Sequence, residues 1–197
     1  DPADQTLCAN ATTTAVNFAG TAGATFNWTN NTPSIGLGAS GTGNIGSFTA
    51  TNATAAPVVA TITVTPTLAG CTGTPQTFTI TVNPIPVITP EPDQTYCAGA
   101  AVPVNAFVST PAGATFNWTN SNTAIGLAAS GTGSVPAFTA TNATAAAITA
   151  NITVTPVLAG CTGTADVYTI TVNPIPTVTD PADQTLCANA TTTAVNF

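Results

Sequence analysis

The chain has 197 residues, no Lys, Arg or His, and seven acids, giving a net charge of −7. A surface without cations offers nothing to a phosphate or an anionic headgroup, which argues against nucleic acid and anionic membrane as partners. With 4 % charged and 44 % hydrophobic residues the chain can build cores and is not a charged disordered tail, and no apolar run nears the roughly 18 residues of a membrane span.

Residues 1–18, DPADQTLCANATTTAVNF, return unchanged as residues 180–197, and a looser copy stands between them around Asp93-Gln94-Thr95-Tyr96-Cys97. Trp28 and Trp118 are 90 apart, as are Cys71 and Cys161, and Cys97 and Cys187; Cys8 and Cys97 are 89 apart. The unit is therefore about 90 residues, and two slightly different versions alternate. That period is too long for a solenoid repeat of roughly 20–50 residues and fits a small self-contained all-β domain. The chain reads as a section of a longer array: residues 1–85 form repeat A with its first residues missing, 86–175 form repeat B, and 176–197 begin a further, truncated A. Asn83-Pro84-Ile85-Pro86 and Asn173-Pro174-Ile175-Pro176 mark the joints. Two prolines in four residues fix φ and remove donors, so a strand ends and a stiff connector follows.

Along the first unit, residues 5–8 and 13–18 read as two short strands. Residues 24–30, ATFNWTN, alternate Phe26 and Trp28 on one face with Thr25, Asn27 and Thr29 on the other, the period of a half-buried strand. Residues 34–46 read as turns around a short strand. Residues 47–52 place Phe48 and Ala50 inside. Residues 58–65 alternate Val58, Ala60, Ile62 and Val64 inward, and residues 76–83 do so with Phe78, Ile80 and Val82. The second unit repeats the pattern with Phe116, Trp118, Phe138, Ile152, Val154, Tyr168, Ile170 and Val172. No window carries a helical period. Roughly seven short strands in 90 residues, with a buried Trp on the third, predict tandem immunoglobulin-like β-sandwiches joined end to end.

The ordered run of Cys, FNWTN, IGLxASGTG, FTATN, ITVTP, GCTGT and TITVNPIP resembles the PKD-like or Ig-like tandem repeats of Bacteroidetes cell-surface gliding adhesins of the SprB type. The resemblance covers the whole chain. It implies an extracellular filament at the cell surface, exported by type IX secretion, moved by a surface motor complex, and gripping polysaccharide or solid surfaces. Many PKD domains carry a WDFGDG-like motif; here Trp28 is followed by Thr29 and Asn30, so a function tied to that acid does not carry over.

Chemistry is sparse. Residues 36–41 match GxGxxG, but no helix pattern follows and Ala128 replaces Gly38 in the second unit, so a tight turn is expected rather than a dinucleotide site. The acids gather near the joints as Asp1 and Asp4, Glu91 and Asp93, and Asp180 and Asp183, with Asp166 apart. Two carboxylates per joint is a thin supply for Ca²⁺, which takes six to eight oxygens, and solvated acids are expected instead. A glycosidase pair would need two carboxylates across one cleft. The absence of His removes Ser-His-Asp and Cys-His catalysis, and the absence of Lys removes the substituted versions. No enzyme, cofactor or metal is expected. Asn10, Asn27, Asn30, Asn52, Asn117, Asn142, Asn151 and Asn189 stand in N-x-Ser/Thr triplets, which arise by chance in an Asn- and Thr-rich chain. Thr rows such as Thr61, Thr63 and Thr65 suit the solvent face of a strand, and the alternative is a glycan- or ice-binding face.

The five Cys, without a metal-ligand His, point to disulfides and an oxidising, extracellular setting. In an immunoglobulin-like sandwich the first strand starts at one pole, and the next-to-last strand returns to it, bringing the loop around Cys71. That predicts Cys8–Cys71 and Cys97–Cys161 within units, with Cys187 unpaired by truncation. The leading function is a structural stalk of a surface adhesin whose partners are further copies of the repeat in the same chain; the rival is an array of glycan-binding modules on the Thr faces or Gly-rich loops.

Overall fold

The structure, a computed structural model, describes residues 2–178 and 180–195. Asp1, named among the acids above, lies outside the described residues. Unit A contains β1 (Gln5–Cys8), β2 (Thr25–Asn30), β3 (Ser40–Thr42), β4 (Val58–Leu68), β5 (Cys71–Thr72) and β6 (Gln76–Asn83). Unit B contains β7 (Val87–Ile88), β8 (Gln94–Cys97), β9 (Ala101–Val102), β10 (Ser109–Thr110), β11 (Thr115–Asn120), β12 (Ser130–Thr132), β13 (Phe138–Thr139), β14 (Ile148–Leu158), β15 (Cys161–Thr162) and β16 (Asp166–Asn173).

Each unit is built on one main sheet. In unit A the order is β1-β6-β4-β2-β3, with β5 folded onto the end of β4; in unit B it is β8-β16-β14-β11-β12, with β15 folded onto β14. The first strand runs parallel to the last, pairing Gln5 with Ile80 and Cys8 with Asn83, and Gln94 with Ile170 and Cys97 with Asn173. A thinner second layer covers the other side of the core. In unit B it is the pairs β7–β10 and β9–β13, and in unit A the bridges Thr12–Thr49 and Val16–Ile45. Among the described residues no strand of one unit pairs with a strand of the other.

The period of two decides what is buried. Ala60, Ile62 and Val64 on β4 and Phe78, Ile80 and Val82 on β6 face one core; Ala150, Ile152, Val154, Tyr168, Ile170 and Val172 face the other. Trp28 and Trp118 lie in equivalent core places, each laid over a glycine of the neighbouring strand. A Cβ on Gly41 or Gly131 would collide with the indole ring. Burying a large aromatic removes some 150–250 Å² of apolar surface from water, and each unit has one Trp to supply it.

Two expected strands are reduced. Residues 13–18 and 47–52 form single bridges in unit A, and only Phe138–Thr139 forms a strand at the second position in unit B. Short Thr- and Ala-rich runs make too few ladder bonds for a longer strand, but Val16 and Ala50 are still buried from them. The GxGxxG run forms the expected turn. Gly36 follows a 3₁₀ turn over Pro33–Ile35 at φ 98°, where a Cβ would strike the Thr49 carbonyl.

Candidate functional site: the joint between the units

The cysteine pairing differs from the expectation. Cys8 is bonded to Cys161, in the other unit, with Cα atoms 5.6 Å apart, and Cys71, Cys97 and Cys187 are free and exposed. Neither Cys8–Cys71 nor Cys97–Cys161 forms, and the reason is the length of the sheet. Cys8 ends β1 and stands beside Asn83, the last residue of β6. Cys71 pairs with Leu68 at the end of β4, four residues beyond Val64, which stands beside Gln76, the first residue of β6. The eight residues of β6 separate the two cysteines by about 24 Å at ~3.4 Å per residue, whereas a disulfide tolerates at most about 7 Å between Cα atoms. The first strand starts beside Ile80, halfway along β6, and runs away from the turn, so Cys8 stands at the opposite pole. Each unit therefore carries one cysteine at each pole.

The joint is assembled from three short stretches. Asn83-Pro84-Ile85-Pro86 leaves the end of β6. The β14–β15 turn of unit B, Ala159-Gly160-Cys161, comes up against it, with Ala159 and Gly160 at φ 49° and 80°. The Cys8 end of β1 completes the contact. Asn83, 8 % exposed, donates from Nδ2 to the Ala159 carbonyl at 3.3 Å. Cys161 is fully buried, and Gly163 lies so close to the Pro86 carbonyl that a Cβ there would collide with it. A cleft of about 330 Å³ runs along the joint, lined by Ala9, Asn10, Ala53, Ile85, Thr110 and Pro111 from both sides. The NPIP connector was legible as a boundary in the sequence; that Gly163 meets Pro86 and Asn83 meets Ala159 across it was not, because nothing local marks contacts made 76–77 residues away.

The acids have structural duties. Asp4 Oδ1 accepts the Thr79 N–H and Asp93 Oδ1 the Thr169 N–H, both at 2.7 Å. Each carboxylate thereby ties the entry of the first strand to the middle of the last. The bond from Thr169 holds the Asp93 carboxyl below the usual carboxylate range. Asp166 Oδ2 accepts the Glu91 N–H at 2.9 Å. These carboxylates are engaged rather than merely solvated, and among the described residues no cluster of acids and cysteines has metal-binding geometry.

Several asparagines of the N-x-Thr triplets are likewise spent on the fold. Asn30 donates to the Leu37 carbonyl and accepts from Thr32 N–H, both at 2.9 Å; its counterpart Asn120, which is not in a triplet, does the same to Leu127 and Asn122. Asn52 donates to the Ala56 and Val82 carbonyls, and Asn142 to those of Ala146 and Val172. The outward faces of the main sheets are rows of Thr, with Thr25–Thr67 and Thr149–Thr171 hydroxyls paired at 2.8 and 3.1 Å. A concavity of about 440 Å³ lies in unit A beside Phe18, Phe26, Val64 and Pro66. In unit B the edge strand β7 pairs with β10 and buries Ile88.

The PKD-like domain family matches residues 4–86 and again 94–176. The chain belongs to that family. No curated protein sequence matches the chain. Among solved structures it is similar to DIP-gamma IG1+IG2, at 10 % identity and TM-score 0.48, covering 87 % of this chain and 94 % of that one. It is also similar to Sidekick-1 immunoglobulin domains 1–4, at 14 % identity and TM-score 0.44, covering 87 % and 47 %, and to the Ig1-2 module of the Drosophila receptor protein tyrosine phosphatase DLAR, at 12 % and 0.31, covering 87 % and 95 %.

Proposed function

We propose that these PKD-like repeats are structural spacers of an extracellular adhesion protein, holding an adhesive region away from its base. The observation that carries the reading is the joint. A covalent bridge, a two-proline connector and a side-chain hydrogen bond fix one unit against the next, whereas a module that only needs to bind can hang on a flexible linker. A disulfide in this place suits an oxidising compartment. The surface, free of Lys and Arg, gives trypsin-like proteases no site. The finer reading, supported by the resemblance of the repeat motifs, is the stalk of a Bacteroidetes gliding adhesin, exported by type IX secretion and carried by a surface motor.

The rival reading, a glycan-binding array, rests on the exposed Thr rows. Two measurements on the intact chain separate them. Small-angle scattering should give a maximum dimension near that of two aligned units, roughly 30–40 Å each for strands of up to about ten residues, and a narrow distribution that broadens on reduction. Immobilised polysaccharides should show no saturable binding of the chain. A folded-back shape would overturn the spacer reading; saturable binding that rises in avidity with unit number would establish the rival.

A further inference from the structure

Cys71 and Cys97 are the two unmatched halves of the joint already formed by Cys8 and Cys161. Cys97 ends β8 beside Asn173, as Cys8 ends β1 beside Asn83. Cys71 lies in the turn Leu68-Ala69-Gly70-Cys71-Thr72-Gly73, residue for residue the turn that carries Cys161. The surroundings differ in one consistent way. Where a neighbour is present the residues are covered: Cys161, Pro86 and Pro156 are buried. Where none is present their counterparts are more open: Cys71 and Pro176 are exposed and Pro66 is half-buried. Gly163 needs to be glycine because the Pro86 carbonyl lies against it. Gly73 meets Pro66 of its own unit, whose Cγ would lie 2.9 Å from a Cβ there, just as Gly163 meets Pro156, and it has no counterpart of the Pro86 carbonyl against it. A groove of about 220 Å³ beside Cys71, lined by Thr21, Leu68 and Gly73, lies open at that pole.

We infer that every joint of an array of these repeats is stapled in the same direction, the first-strand cysteine of each unit bonding the turn cysteine of the unit that follows. Cys97 takes the turn cysteine of a following repeat, and Cys71 takes the first-strand cysteine of a preceding one. Each bond forms from two thiols by loss of two electrons and two protons to a thiol–disulfide oxidant of the extracellular compartment. The occupant of both open poles is a further copy of this repeat, as the Cys8–Cys161 joint and the recurrence of its two halves in each unit indicate.

Stapling in register changes how an array carries load. A pull entering at Cys8 crosses the bridge to Cys161, follows the chain 26 residues to Cys187, and crosses the next bridge. The rest of each pair of units lies off the loaded path. The bond map is independent of whether the array serves as a spacer, so failure of one leaves the other standing.

Residues 1–179 written twice in tandem give four units with four cysteines per copy, and thiol counting under denaturing, non-reducing conditions tests the inference. Two free thiols are expected, at Cys71 and at the fourth unit's counterpart of Cys97, with mass-spectrometric peptide maps (trypsin has no site here) showing bridges across all three joints. No free thiol, from pairing within units, would overturn it. So would four, from bridges at the A-to-B joints alone. In force spectroscopy the oxidised array should release about 26 residues for each pair of units, and about 179 after reduction.

Discussion

Unit A and unit B fold the same way, yet the same turn, LAGCTGT, is exposed throughout in one and buries its cysteine in the other. Cys71 is exposed and Cys161 is fully buried, although the seven residues around them are identical. The difference comes from the neighbour, since only the unit B turn has a unit standing against it. Inside the cores the contrast is of another kind. Phe78 of unit A is Tyr168 in unit B, and Val16 is Asn105. The two changes belong together, because Asn105 Nδ2 donates to the Tyr168 hydroxyl at 3.2 Å. An apolar pair has been exchanged for a hydrogen-bonded pair, as a buried hydroxyl requires. Surface differences between the units report the array, and core differences report compensated drift.

If the cores are equivalent, Trp28→Ala and Trp118→Ala should each destabilise their own unit by about 3–5 kcal/mol through the cavity left behind, and leave the other unit's transition in place. Because each unit has one Trp, the remaining indole reports the intact unit by fluorescence, while circular dichroism follows both. Loss of both transitions in either variant would show that the cores are not independent.

A smaller effect separates the two turns. Gly163→Ala forces a methyl group against the Pro86 carbonyl and should weaken the joint by about 1–3 kcal/mol; Gly73→Ala lacks that neighbour. Measured as the reductant concentration that opens Cys8–Cys161, the first variant should open several-fold more easily and the second should match the parent. Equal behaviour would mean that the contact across the joint carries no energy.

The sheet strands were legible because period-two patterning is local: β1, β2 and β6 fall within a residue of their expected limits. The second layer was less so, since its short Thr- and Ala-rich runs form only bridges and their place is set by what they cover. The cysteine pairing was misread for a metrical reason. Strand order suggested that the turn and the start of the first strand share a pole, but β1 starts beside Ile80, halfway along β6, and its four residues carry Cys8 on to the far end. Once β1 pairs in parallel with β6, Cys8 must lie at the exit pole, and the only cysteine there belongs to the next unit.

The smallest expected effect concerns alkali, and it sharpens the core comparison. Burial raises the Tyr168 hydroxyl above its ordinary pKa near 10, against the opposing bond from Asn105. A group whose folded pKa is raised contributes nothing adverse while both states remain protonated. Above about pH 10 the unfolded chain ionises its tyrosine and the folded one does not. Unit B should therefore lose stability as pH rises from there toward the folded pKa, whereas unit A, with Phe78 in that place, should not respond through this position. Tyr168→Phe should abolish the alkaline loss but strand the Asn105 amide, at a cost of about 1–3 kcal/mol at neutral pH. Adding Asn105→Val restores the pair found in unit A and should recover most of that cost. Thermal melts of the three forms at pH 7 and above pH 10 would measure it, and an undiminished alkaline loss in the double variant would place its origin elsewhere in unit B.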